Sequence, residues 1–319
     1  MRKYDLHIHS KFSDGEYTVE EIVEKLKKTG IEIFSITDHD NIESIKTMQQ
    51  VEHRGLTYIT GIEFSASKGT YKMHVLGYNI DGNNEELNKA CRDIKVRKNL
   101  RNLEVIQQLR EKFGIIITKD ETLKLLRMSE RKFVGQTTIA KLLVTKGIIP
   151  DVKYYFQNFF PSIKPKTNAT IDLNKSVEII HNAGGLAVLA HPITIEQDYG
   201  INIESVFEIF RDAGIDGIEV FNSKHTLTDI KRYYALARKE NLLISGGSDY
   251  HGEIIKPNIK LGRISRDDLE KPEHYELTII SQCINKEKTI NEVKNKESKK
   301  EDEERWKILN VIYQISTLR

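Results

Sequence analysis

The sequence predicts an α/β protein whose mostly parallel sheet curls toward a barrel, and three observations carry that prediction. Short apolar runs that read as strands, about seven in all, alternate with runs that read as helices. Residues able to do chemistry cluster at the ends of those strands, where the loops of a β/α barrel converge. The length, 319 residues, suits one large α/β domain or one domain with an insertion.

Taken in order, residues 3–9 read as the first strand. Leu6 and Ile8 alternate with His7 and His9, so a side-chain period of two puts both imidazoles on one face. Residues 18–30 read as a helix, opened by a Thr18/Glu21 capping-box pair and closed by Gly30. Residues 31–37 form a second strand, apolar enough to be buried on both faces. A helix over 41–54 comes next, then strands over 56–65 and 71–79. After the break Asp81-Gly82-Asn83-Asn84, a long Lys- and Arg-rich helical stretch runs to about residue 113.

From 114 to about 170 the β/α rhythm stops. Ile139, Leu142 and Leu143 have helical spacing, Gly147 ends that run, and Tyr154, Tyr155, Phe156, Phe159 and Phe160 come after it. This block predicts an inserted helical subdomain. The rhythm resumes with a helix over 173–182, ended by Gly184-Gly185, and a strand over 186–190. A helix over 203–213, a strand over 217–221, a helix over 227–241 and a strand over 242–246 complete it. The expected domains are a discontinuous barrel (1–90 and 171–285), a helical insertion capping the site (91–170) and a charged tail or helix (286–319).

Composition narrows the function classes. Lys plus Arg (49) and Asp plus Glu (47) leave a net charge of +2, which makes no case for a polyanion-binding machine. Cys91 and Cys283 are far apart with no CxxC, so a disulfide scaffold and a cysteine-ligated zinc site are disfavoured and a reducing cytoplasm fits. No apolar run approaches membrane-spanning length, and no signal-peptide core precedes the first strand. The expectation is a soluble cytoplasmic protein.

The strand ends carry the chemistry. Of ten histidines, His7, His9, His39, His74, His191, His225 and His251 lie on or just after strand-like runs, whereas His53, His181 and His274 do not. Asp14, Asp38, Asp40, Glu63, Glu219 and Asp249 fall at the same ends. Buried without partners, such groups would cost several kcal/mol each. Divalent cations remove that cost, because they neutralise carboxylates and hold imidazoles neutral. The donors are nitrogen and oxygen only, about nine, too many for one ion, so two or three divalent metals (Mn²⁺, Zn²⁺ or Fe²⁺) are implied. Glu63 suits a bridging carboxylate. Asp38 and Asp40 are either supports for His39 or loop and cap carboxylates.

These residues resemble the polymerase and histidinol phosphatase (PHP) superfamily. Its four motifs are matched by His7-Ile8-His9, by Thr37-Asp38-His39-Asp40, by His191, and by Ser248-Asp249-Tyr250-His251, with Glu63 and His74 between the second and third. The resemblance implies a distorted (β/α)₇ TIM-like barrel with up to three metals. Carried over by position, one metal takes His7, His9, Glu63 and Asp249, a second shares Glu63 and adds His74 and His191, and a third takes Asp14, His39 and His251. Relatives with the insertion carry Gly-Arg-Pro-His before a helix like 139–146, and the Arg and His contact substrate phosphate. Here the stretch is Gly135-Gln136-Thr137-Thr138, which leaves Arg131 and Lys132 as candidates to replace the lost charge.

The function so implied is a metal-dependent phosphoesterase that hydrolyses nucleotide or short oligonucleotide-type phosphate esters by metal-activated water. His225 or His191 is the candidate to protonate the leaving oxygen or bind phosphate. Two rivals remain. One is a 5′-3′ exonuclease-like phosphodiesterase, favoured by Arg92, Lys95, Arg97, Lys98, Arg101 and Arg110 on the long helix and the aromatics after it. The other is a non-catalytic, metal-stabilised regulatory module. No obligate protein partner and no membrane partner is expected.

Overall fold

The computed structural model describes residues 3–128, 135–266 and 277–284. Arg131, Lys132, His274 and the charged tail expected at 286–319 lie outside the described residues. The chain divides into two units, Met1–Glu276 and Leu277–Arg319. In the second, residues 279–284 are helical. All the strands among the described residues lie in the first.

Two sheets form its frame. Strands β1 (Lys3–Ile8), β2 (Ile31–Ile36) and β3 (Thr57–Tyr58) make a parallel three-stranded sheet in that order. The other strands are β4 (Gly61–Lys68), β5 (Tyr71–Tyr78), β6 (Ile171–Asp172), β7 (Leu186–Leu189), β8 (Gly217–Asn222) and β9 (Leu243–Gly247). They form a six-stranded sheet in the order β6-β4-β5-β7-β8-β9. Two isolated backbone bridges link the sheets, Ile8 with Tyr250 just past β9 and His39 just past β2 with Glu63 in β4. Each bridge joins residues the sequence placed at the chemical rim.

The helices are α1 (Val19–Thr29), α2 (Glu43–Met48), α3 (Glu85–Phe113), α4 (Lys119–Met128), α5 (Gln136–Thr145), α6 (Val152–Tyr154), α7 (Leu173–Asn182), α8 (Ile193–Tyr199), α9 (Glu208–Asp212) and α10 (Leu227–Lys239). The capping box forms on α1 as expected. Thr18 accepts from Glu21 N–H, Glu21 accepts from Thr18 N–H, and Gly30 ends the helix with φ 71°. Between β5 and β6 every described element is a helix or helical turn, and these share a core of Val105, Leu109, Ile139, Leu143 and Tyr155. A separate core under α1 joins Ile8, Ile22, Leu26, Phe34 and Tyr250. Full burial of such side chains contributes about 1.5–3 kcal/mol apiece.

The sheet is mixed, where the sequence rhythm suggested a parallel one. β5 runs antiparallel to both β4 and β7. The cause is local: Gly69, at φ 57°, turns the chain within two residues, and so short a link can join only antiparallel neighbours. The helix expected over 41–54 shrinks to α2, which has no side-chain cap. The one expected over 203–213 becomes a 3₁₀ turn, Ile203–Val206, followed by the five-residue α9.

Candidate metal centre and the cleft beside it

The nine side chains that the resemblance assigns to metals converge. They fall into four overlapping groups: His9–Asp14–His39–His251, His7–Glu63–His191, His7–His9–Asp249, and His39–Glu63–His74. Glu63 sits at the middle. One oxygen, Oε2, lies 3.2 Å from His7 Nε2, 3.1 Å from His9 Nε2 and 3.1 Å from His39 Nδ1. The other, Oε1, lies 3.0 Å from both His74 Nδ1 and His191 Nε2. Asp249 Oδ1 is 3.3 Å from His9 Nε2 and 3.6 Å from His7 Nε2. Asp14 Oδ1 is 3.2 Å from His251 Nε2.

These residues fit divalent cations. Ligand atoms about 2.1 Å from a shared ion stand about 3.0–3.4 Å from one another, and most of these separations fall there. Glu63 Oε2, Asp14 Oδ1 and His39 Nδ1 are buried yet have no partner in hydrogen-bond geometry. Glu63 Oε2 and His39 Nδ1 stand 3.1 Å apart without hydrogen-bond geometry, an arrangement that costs desolvation energy unless a cation lies between them.

Protonation follows the same logic. Burial opposes ionisation of Glu63, but His39, His7 and His74 around it hold it well below the usual carboxylate range. Asp249 is likewise buried and likewise held down, chiefly by Lys224 and Lys256. Burial also pushes the imidazoles of His39, His191 and His251 down, His191 to about 4. Ionised carboxylates and neutral imidazoles are the forms that ligate metal. His7 and His9 differ: despite burial, Glu219 and Glu63 raise the first, and Asp249 and Glu63 push the second up to about 9. A cation displaces that proton on binding.

The backbone delivers the donors at some cost. His191 and Asp249 hold φ at 22° and 57°, and Asp40 at 51°. Such angles in non-glycine residues cost about 1–3 kcal/mol each, and they gather at functional sites. Gly247 allows the close approach of β9 to β1, since a Cβ there would lie 2.3 Å from His7 N.

Behind the donors stands a layer of carboxylates. Glu219, fully buried, has Oε1 3.0 Å from His7 Nδ1, while Oε2 accepts from His191 N–H at 2.7 Å. Asp5 accepts from the backbone N–H groups of His7, Ser248 and Gly262 and from the Ser248 hydroxyl. Asp38 accepts from Ser10 and Ser13, and Asp40 from Ser65 and Lys98. Asp38 and Asp40 therefore fasten rim loops. The sequence marked Glu219 as a strand-end acid without giving it a role, and the part played by Asp5 was missed; His-x-His preceded by a buried Asp was the available signal.

His225 is not brought to the cluster. It is fully buried, its Nδ1 lies 2.8 Å from Val220 O, and its ring stands edge-on to Tyr233. Its neighbour Lys224 reaches the rim instead, with Nζ 2.8 Å from Asp249 Oδ2, where Lys256 Nζ also lies at 2.8 Å. Nothing in the spacing foretold either lysine.

The cluster opens on one side, where Asp14 and His74 are 41% and 35% exposed while Glu63 is 0%. There a cleft of about 330 Å³ runs between Asp14 and His39 on the rim and Lys98, Arg101, Gln136 and Phe160 of the helical segment. Gln136, where the resemblance would put an arginine, is held by the neighbouring helices. Its Nε2 donates to Asn102 Oδ1, and its Oε1 accepts from the Tyr155 hydroxyl.

Comparison with known proteins agrees with this geometry. A family model for the PHP domain matches residues 5–191. The 3′,5′-nucleoside bisphosphate phosphatase of Chromobacterium violaceum is 29% identical over 254 residues, 79% of this chain and 88% of that protein. A 5′-3′ exoribonuclease of Haemophilus influenzae is 28% identical over 253 residues, 78% of this chain and 90% of its own. A structure from Bifidobacterium adolescentis, assigned as a metal-dependent phosphoesterase, superposes with a TM-score of 0.68 at 25% identity, over 84% of this chain and 94% of that one. This chain therefore belongs to the PHP domain family and is a metal-dependent phosphoesterase, a hydrolase of phosphoric esters.

Proposed function

We infer that the nine clustered side chains hold two or three divalent ions (Mn²⁺, Zn²⁺ or Fe²⁺) and that the substrate is a nucleotide or the end of a short oligonucleotide. The observation that carries the substrate reading is the cleft. Its cation Arg101 suits phosphate, and Phe160 offers a ring face on which a base can stack. The relatives' names, a nucleoside bisphosphate phosphatase and an exoribonuclease, point to the same chemistry.

Bound divalent ions would supply Lewis acidity and lower the pKa of water toward neutrality. This chain's residues do the rest. Glu219 fixes the His7 ring through Nδ1 and leaves Nε2 facing inward. Lys224, beside Asp249, places an ammonium where the substrate's phosphoryl oxygens would arrive. Lys98, paired with Asp40, ties α3 to the rim and keeps the cleft's far wall in register with the donors. The two bridged sheets support a distorted seven-stranded barrel. The separate core of the β5–β6 segment supports an insertion that caps the site, starting with α3 at residue 85 instead of at 91.

The test is hydrolysis by the Mn²⁺-loaded protein of p-nitrophenyl phosphate, AMP and a 5′-phosphorylated trinucleotide, before and after Asp249→Ala. Loss of all phosphate release in the variant is expected. Turnover that survives the substitution refutes the assignment of the centre. The exonuclease reading gains if the trinucleotide is degraded at much lower concentration than AMP, and if that advantage falls steeply with salt.

A further inference from the structure

The loop after β1 folds back beneath the ring that β1 has just delivered. Ser13 N–H and Gly15 N–H both donate to Ser10 O, at 3.1 and 2.9 Å. The turn is so tight that a Cβ on Gly15 would lie 2.1 Å from His9 O. It carries the Ser13 hydroxyl, buried together with His9 and Asp38, to a point between those two side chains. Ser13 Oγ lies 2.5 Å from Asp38 Oδ1 and 3.3 Å from His9 Nδ1.

A hydroxyl has one proton to give and two lone pairs, whereas a carboxylate oxygen only accepts. The shorter contact is therefore Ser13 donating to Asp38. Asp38 is itself held in place, because Oδ1 also accepts from Ser10 N–H at 2.8 Å and Oδ2 from the Ser10 hydroxyl at 2.7 Å. With its proton committed, Ser13 offers His9 Nδ1 only a lone pair, and Nδ1 must carry the hydrogen. In the neutral ring Nε2 is then bare, and it faces Glu63 Oε2 at 3.1 Å and Asp249 Oδ1 at 3.3 Å. The hydroxyl beside His191 makes no such demand. Thr194 Oγ1 is 3.0 Å from both His191 Nδ1 and His191 O, so its proton can go to either.

The tautomer of His9 matters because this ring has a choice. It belongs both to the group of His7 and Asp249 and to the group of Asp14, His39 and His251. Asp14 Oδ1 stands 3.6 Å from Nδ1, so a ring deprotonated at Nδ1 would turn its lone pair toward the Asp14 group. We propose that Ser13, held by Asp38, is a positioning residue that fixes His9 as the Nδ1–H tautomer. It thereby reserves Nε2 for the ion shared with His7, Glu63 and Asp249, and withholds the ring from the Asp14 group. This role rests on the reading of the cluster as a divalent-metal centre and adds which side chain directs the histidine that two groups share.

Two measurements test it. In the Zn²⁺-loaded wild type, magnetic resonance of the histidine ring nitrogens, with His9 assigned by its loss in His9→Gln, should show a protonated Nδ1 and a metal-bound Nε2. A His9 ring that ligates through Nδ1 overturns the proposal. In calorimetric titration of chelator-treated protein with Mn²⁺, Ser13→Ala should raise Kd about tenfold, and Ser13→Thr, which keeps the hydroxyl, should restore most of that affinity. Melting curves establish that each variant is folded. An alanine variant that binds as the wild type does, or a folded threonine variant that loses as much as alanine, also overturns the proposal. Failure of the underlying metal-centre reading is separately visible, as a wild type that binds no Mn²⁺.

Discussion

Replacing Glu219 with glutamine changes one charge and almost no volume, at a residue that touches no expected metal. Glu219 is fully buried and offers one oxygen to His7 Nδ1 at 3.0 Å and the other to His191 N–H at 2.7 Å. An amide has one oxygen, so in Glu219→Gln one of those donors must face an NH₂ group. A buried donor left without an acceptor costs about 1–3 kcal/mol. Loss of the carboxylate behind a metal-ligating imidazole weakens metal affinity or activity about 10–100-fold, equivalent to roughly 1.4–2.7 kcal/mol. The two magnitudes agree. Calorimetric titration of chelator-treated protein with Mn²⁺ should show Kd raised about 10–100-fold, with turnover of p-nitrophenyl phosphate falling in parallel. A variant with an unchanged Kd for Mn²⁺ refutes the claim that Glu219 orients His7 as a ligand.

The other predictions concern single contacts. Lys224→Met should lower kcat/KM about tenfold or more, whereas His225→Phe, in a buried site against Tyr233, should lower the melting temperature more than it lowers kcat; the reverse pattern would return His225 to the centre. Gly247→Ala forces a Cβ to within 2.3 Å of His7 N and should destabilise the fold by about 1–3 kcal/mol in urea titrations. Phe160→Ala should raise KM for nucleotides several-fold and leave p-nitrophenyl phosphate nearly unaffected, as initial rates will show. Dialysis against a chelator should abolish activity and lower the melting temperature, and added Mn²⁺ should restore both; activity that persists without metal would contradict the centre.

The sequence disclosed the donors far better than it disclosed what supports them. His7 and His9 were legible because a strand's period of two is rigid, and Gly30 because a left-handed helix end favours glycine. Metal donors also have to be histidine, aspartate or glutamate, which makes them conspicuous wherever strands end. Supporting contacts obey no such restriction. Lys256 meets Asp249 only through the path of the loop after β9, and Glu219 looks like any strand-end acid until His7 is seen behind it. The antiparallel course of β5 was signalled by the short interval around Gly69 and was overridden by the surrounding rhythm. The strand β6 has two residues, too few for any period to show. His225 misled because a strand-end position fixes where a residue begins, not which way its ring turns.

The bridge between Ile8 and Tyr250, with Ser248 bonded to Asp5 from 243 residues away, governs when the centre can exist. The first histidines leave the ribosome long before their carboxylate partner Asp249. At about 5–20 residues per second, that interval is roughly 10–50 s of synthesis. Through it, β1 has neither its neighbour across the seam nor the complete donor set. Metal capture is thus a late event in the life of the nascent chain, and a product cut short before Ser248 carries exposed histidines with no finished site to shelter them.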